Sequence, residues 1–223
     1  MPSALKAVLF DLDGTLLDTA PEFYQIVSIQ LQKHGAAPIA FNDFREVVSD
    51  GARGMVQKAF GIDPGAVNFE PLRQEFLNLY TRHLAMHTHL FPGMAETLAF
   101  IESENLRWGV VTNKPVGFSA PLLQKLNLST RCATLICPDH VKQRKPDPEA
   151  LILACAQIGC AVGEAIYLGD HRRDIECARR AGMPSIACDY GYIHADDPCS
   201  NWGADFIVPN AAAIVPILQK FIY

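Results

Sequence analysis

Residues 8–19 read VLFDLDGTLLDT, and the order of chemistry in that stretch decides the fold class. Ala7, Val8, Leu9 and Phe10 form an apolar run without polar alternation, the pattern of a strand buried on both faces. The run stops abruptly at Asp11. Asp13 follows two places on, and Gly14 lets the chain turn sharply away behind it. A bare Asp-Gly pair would be ordinary turn chemistry. Two carboxylates at the carboxyl end of a buried strand are different, because ligands of open parallel sheets bind just beyond such strand ends.

Working outward, the chain first leaves strand patterning altogether. Phe23, Ile26, Val27, Ile29 and Leu31 recur at helical spacing, and Thr19 with Glu22 fits a capping box at the start of that helix. Further helical segments are expected over residues 41–48, 52–60 and 71–84, broken by Gly51 and by the glycines at 61 and 65. From Phe91 onward helices alternate with strands, the strands at 108–112, 133–137, 165–168, 185–188 and 206–208. That alternation predicts an α/β fold, a parallel sheet with helices on both faces. The early helical block reads as a cap inserted after the first strand, with crossings near residues 16–20 and 87–93. Residues 1–17 and 91–223 are then the core and 18–90 the cap.

Composition narrows the function. The chain has 223 residues, 49% hydrophobic and 19% charged, enough for a substantial core in one domain or one with a modest insertion. A net charge of -5 argues against nucleic acid as partner. No signal-peptide pattern precedes Asp11, and the apolar run at 211–218 is short and interrupted by Pro216, so a soluble, cytoplasmic protein with no membrane partner is expected. The seven cysteines form no C-x-x-C pair and read as small core hydrophobes of a reducing compartment.

Three more constellations follow in order. WGVVTN at 108–113 is a buried strand ending in Thr112 and Asn113, whose hydroxyl and following backbone N–H groups suit a phosphoryl oxygen as well as a helix cap. In RKPDPE at 144–149, Pro146 keeps Lys145 out of helical geometry while Asp147 and Pro148 begin a helix just after it. AIYLGD at 165–170 ends in Asp170, with Asp174 four residues on, placed as a ligand-supporting carboxylate or as a first-turn acid favoured by the helix dipole.

Together these stretches resemble the four motifs of the haloacid dehalogenase-like superfamily, and the resemblance runs nearly end to end. It implies a Rossmann-like core with a helical cap, and a phosphatase that works through a phosphoaspartate. Asp11 is then the nucleophile and Asp13 the proton shuttle; Thr112, Asn113 and Lys145 hold the phosphoryl group, with Lys145 also pairing with Asp11. Mg²⁺ is the implied cofactor, on Asp11, the backbone carbonyl of Asp13 and Asp170, with Asp174 behind them. An all-oxygen set suits that ion. Without cations a phosphate dianion could hardly approach Asp11, since two like charges about 4 Å apart repel by roughly 4 kcal/mol at an effective dielectric near 20. Dehalogenases of the superfamily lack an acid at the Asp13 position, so halide displacement is disfavoured. Phosphomutases such as β-phosphoglucomutases share motifs and cap type and remain an alternative. A non-catalytic receiver-like module would need neither Asp13 nor a cap.

Substrate choice falls to the cap. Ser49-Asp50-Gly51-Ala52-Arg53 resembles the cap segment of phosphoglycolate phosphatase-like members, where Ser49 and Gly51 shape the turn and Arg53 can pair bidentately with a substrate carboxylate. The loops VVTNKPVGFSAPLL, CPDHVKQRKPDPE and GYIHADDP resemble the N-acetylmuramic acid 6-phosphate phosphatases of bacterial cell-wall recycling. The expected partner is a small phosphorylated metabolite, N-acetylmuramic acid 6-phosphate, with phosphoglycolate as the alternative. Tyr192, His194 and Trp202 are candidates to flank a sugar pocket. His83, His87 and His89 read as polar surface rather than a metal site, and His171 departs from the acidic or small residue common after Gly-Asp in the superfamily. Oligomeric state is left open.

Overall fold

The computed structural model describes residues 4–222; residues 1–3 and 223, the ends of the expected core span, lie outside the described residues. The chain runs through β1 (Ala7–Phe10) and β2 (Leu17–Asp18) into α1 (Ala20–Lys33), α2 (Phe41–Arg45), α3 (Gly51–Phe60) and α4 (Phe69–His83). It returns through β3 (His89–Leu90), which pairs antiparallel with β2, Leu17 against Leu90. Then follow α5 (Met94–Ser103), β4 (Arg107–Val111), α6 (Val116–Lys125), β5 (Leu135–Ile136), α7 (Glu149–Ile158), β6 (Ala165–Gly169), α8 (Arg172–Ala181), β7 (Ser185–Cys188), β8 (Phe206–Val208) and α9 (Ile214–Ile222).

Six of the strands form one sheet in the order β5-β4-β1-β6-β7-β8, every pair parallel. β1 lies between β4 and β6, with Phe10 in register with both Val110 and Leu168. Its side chains divide between two apolar layers, Val8 and Phe10 packing into one and Ala7 and Leu9 into the other. Leu151 and Ala154 of α7 and Ala178 of α8 cover the second. Burial on both faces is why the strand reads as a continuous apolar run. It also puts Asp11 beyond the middle of the sheet, between the ends of β4 and β6.

The structure corrects several element expectations. The helix expected over 41–48 stops at Arg45, whose guanidinium donates to the carbonyls of Tyr190 and Gly191 at 2.8 Å each. The chain then tightens into a 3₁₀ turn at Val48–Asp50 before Gly51, which sits at φ 72°. β4 begins one residue early, and β5 keeps only Leu135–Ile136 because it is an edge strand with β4 as its single neighbour. The α4 helix begins at Phe69, with Pro71 tolerated in its first turn. The Thr19–Glu22 capping box does not form. Thr19 approaches the Tyr192 hydroxyl instead, and the buried Glu22 carboxylate accepts from the backbone N–H groups of Ala85 and His87, both at 3.1 Å. All seven cysteines are free thiols, five of them buried.

Candidate active site

Four loops at the carboxyl ends of β1, β4 and β6, and before α7, bring the motif residues together. Lys145 is the junction. Its ammonium lies 2.9 Å from Asp11 Oδ1 and 2.7 Å from Asp174 Oδ1, and contacts the Val111 carbonyl at 2.9 Å and the Tyr167 hydroxyl at 2.7 Å. The helix that follows begins at Glu149, one residue later than expected, with Asp147 Oδ1 accepting the Glu149 N–H at 3.0 Å.

The charges balance by proximity. Burial pushes the Asp11 carboxyl up, but Lys145 more than offsets this and holds it below the usual carboxylate range. Burial works against the Lys145 charge, and Asp11 and Asp174 together raise its pKa nonetheless. Asp170 is pushed up to about 7, by burial first and then by Asp11 and Asp174. Burial also raises Asp174, against the pull of Lys145.

Asp170 is held by three donors: Thr15 Oγ1 at 3.1 Å, Ser49 Oγ at 3.0 Å and the Tyr192 N–H at 2.9 Å. Gly14, at φ 83°, passes so close to this carboxylate that a Cβ would collide with it. Asp174 pairs with Lys145, while its other oxygen accepts the His171 N–H at 3.1 Å at the start of α8. His171 caps the same helix by accepting the Arg173 N–H on Nδ1, and burial drives its imidazole down to about 3.

Carboxylate oxygens of Asp11, Asp170 and Asp174 all lie within 4.8 Å of one another, the one such cluster of potential metal ligands among the described residues. Asp11 Oδ1 takes the Lys145 charge but no aligned hydrogen bond. Three crowded buried carboxylates, one held high by burial and then by its neighbours' charge, and an oxygen without an aligned donor fit a hard divalent cation. His83, His87 and His89 form no such cluster.

Other expected residues fall differently. Thr112 Oγ1 accepts the Lys114 N–H at 3.2 Å and borders the cavity. Asn113 also borders it, but its amide is engaged with the Lys145 backbone, donating to the carbonyl and accepting from the N–H at 3.1 Å each, so it shapes the lysine loop. Ser49 ties the cap to the core through Asp170, and its carbonyl accepts from Arg173. Arg53 is exposed at the cavity without an ion-pair partner among the described residues, and Gly51 lies beside it. Tyr192 is buried away from the cavity; its hydroxyl accepts from the N–H groups of Thr19 and Ala20 and donates to Asp18. His194 faces Asp50 at 3.2 Å, and Trp202 stacks on His171.

Two residues had no specific role in the sequence reading. Lys114 contacts both oxygens of Asp13, at 2.9 and 3.1 Å. Arg173 lines the cavity with its Nε unpartnered. Each is a cation next to a motif residue, the one local signal available. The cavity above Asp11 measures about 660 Å³; Asp11, Asp13 and Lys145 line its core side, and Phe23, Met55, Phe76 and Tyr80 its cap side.

Comparison with known proteins agrees with this geometry. The family model of haloacid dehalogenase-like hydrolases matches residues 8–188. An N-acetylmuramic acid 6-phosphate phosphatase of Pseudomonas putida is 55% identical over 97% of both chains. A phosphoglycolate phosphatase of Xanthomonas campestris is 42% identical over 91% of both. In fold, a predicted phosphoglycolate phosphatase from Haemophilus somnus superimposes with a TM-score of 0.85 at 24% identity, covering 97% of this chain and 99% of that one. A family match that spans all four motif loops, on a core whose motif carboxylates converge around one buried lysine, means that this chain belongs to the haloacid dehalogenase-like hydrolases.

Proposed function

We propose that the protein is a Mg²⁺-dependent phosphomonoester hydrolase that dephosphorylates N-acetylmuramic acid 6-phosphate through a phosphoaspartate on Asp11. The observation that carries the reaction class is the Asp11–Lys145 pair on the core side of a cavity capped by aromatic and apolar side chains. An Asp11 oxygen attacks phosphorus, the ester oxygen leaves as the alcohol with a proton from Asp13, and Asp13 then takes a proton from the water that hydrolyses the phosphoaspartate. Lys145, Arg173 and Thr112 line the cavity and would meet the phosphoryl oxygens there. Asp11, Asp170 and the Asp13 carbonyl would hold Mg²⁺, with Asp174 behind them, and the ion would neutralise phosphoryl charge. Residues 18–90 act as the cap, opening for substrate between the β2 and β3 crossings and excluding water when closed.

Two facts support the sugar phosphate as substrate. The P. putida relative, matched along nearly its whole length, bears that name. A cavity of about 660 Å³ has the size of sites for drug-sized ligands, about 300–1,000 Å³, larger than a glycolyl ester requires. Arg53 is the proposed partner of the lactyl carboxylate. Phosphoglycolate is the second reading, favoured by the X. campestris relative and served by the same arginine.

Phosphate release with Mg²⁺ from the two substrates, side by side, tests the assignment. A kcat/KM preference of about a hundredfold for the sugar phosphate, some 2.7 kcal/mol, is expected; a preference for phosphoglycolate reverses it. Asp11→Asn should release no phosphate while keeping its circular dichroism and Tm. Retained turnover in that variant removes Asp11 from the nucleophile role.

A further inference from the structure

Lys114 is a second buried lysine at the site, and phosphate pairing by Lys145 leaves it without an assigned task. It follows Thr112 and Asn113 in the loop after β4, with its N–H bonded to Thr112 Oγ1, so its stem is anchored in the core. Its side chain is only 7% exposed. On one side the ammonium meets both oxygens of Asp13. On another it lies over two rings of the cap, 4.7 Å from the centroid of Phe23 on α1 and 4.6 Å from that of Tyr80 on α4. Those rings pack against each other at 4.6 Å. No other side chain donates a hydrogen bond to Asp13 among the described residues.

We propose that Lys114 is a positioning residue that makes the placement of the Asp13 carboxylate depend on the seating of the cap. A lysine stem is flexible and its ammonium is strongly hydrated in water, so the side chain has no preferred direction by itself. Two aromatic faces replace part of that hydration only while the cap is down. With the cap lifted, water displaces the rings, the ammonium is released, and Asp13 loses its one fixed partner. Proton transfer to the ester oxygen is then aligned only in the closed state, when bulk water is excluded. The proposal rests on the phosphatase reading in taking Asp13 as the proton carrier; it does not depend on which phosphomonoester is the natural substrate.

Steady-state kinetics on N-acetylmuramic acid 6-phosphate and on 2-phosphoglycolate, two alkyl esters whose leaving oxygen needs a proton, with saturating Mg²⁺, tests it. Lys114→Met should lower kcat by about tenfold to a hundredfold on both, with KM changed by less than about threefold. Lys114→Arg should recover most of the loss. Tyr80→Leu, or Phe23→Leu should the first not fold, should also lower kcat, and its effect should largely vanish in the Lys114→Met background. An unchanged kcat in Lys114→Met, a rise confined to KM, or additive losses in the double variant would each overturn the proposal. Wild-type activity on 2-phosphoglycolate alone removes the sugar-phosphate assignment while the same variants still decide the role of Lys114. A wild-type protein inert on both substrates overturns the phosphatase reading and this proposal with it.

Discussion

Lys145 shows how much one residue can hold. It sits between Asp11 and Asp174, buried and in contact with both. Removing one partner from a buried ionic cluster leaves uncompensated charge and typically costs about 3–5 kcal/mol. Lys145→Met is therefore expected to lose phosphate release and also to unfold at lower denaturant, by about that amount in urea titration. A variant that loses activity but keeps its stability would show that water or bound cation already screens the carboxylates. Asn113 makes a different point at the same scale. The resemblance makes it a phosphate-binding residue; in the structure its side-chain amide is taken by the Lys145 backbone, so that role would fall to its backbone N–H. An asparagine offers the same donors to either partner, and only the position of the lysine loop chooses between them.

At the scale of elements, the crossing between core and cap is held by Tyr192. Its hydroxyl accepts the Thr19 and Ala20 N–H groups at 2.7 and 2.9 Å and donates to Asp18 Oδ1 at 2.8 Å. Tyr192→Phe takes the acceptor from the buried Thr19 N–H, at about 1–3 kcal/mol, while the Ala20 N–H keeps Asp18 Oδ1 at 3.3 Å. Urea unfolding should show that loss, and a change below about 0.5 kcal/mol would mean the crossing rearranges to find other acceptors. Within the cap, Glu75 on α4 joins α1 through Lys33 and Gln30 and meets His34 just beyond it. Partial burial pushes its carboxyl up, but those hydrogen bonds prevail and bring it to about 2. The unfolded chain then binds the proton first, so this contribution is complete above about pH 4.5 and drains away as pH falls towards about 2. The stability difference between wild type and Glu75→Gln should shrink across that window; a constant difference would show that Glu75 makes no pH-dependent contribution.

For the whole molecule, the crowding of Asp11, Asp170 and Asp174 predicts linkage between metal and fold. Mg²⁺ at about a hundred times its dissociation constant adds about 2.7 kcal/mol, which in a chain of this length is roughly 5–10 °C in Tm. A melting curve taken with and without Mg²⁺ should show that shift, and chelation should stop phosphate release. A Tm indifferent to Mg²⁺ would argue that Lys145 alone neutralises the cluster.

How much of this was legible beforehand follows one line. The central strand, the parallel sheet and the order of the motif residues could be read from the sequence, because each rests on a local pattern: an apolar run, a glycine or proline at a fixed offset, an acid at a strand end. The family resemblance added the convergence of Asp11, Lys145 and Asp170. The Thr19–Glu22 pattern was equally local and misled, since Glu22 found the N–H groups of Ala85 and His87 across the chain. Tertiary structure alone decided that Ser49 holds Asp170, that Lys114 holds Asp13 beneath two cap aromatics, and that Tyr192 pins the crossing rather than lining the pocket. In those cases donor and acceptor lie far apart in sequence, and a polar side chain takes whichever partner the packing of the apolar layers brings within about 3 Å.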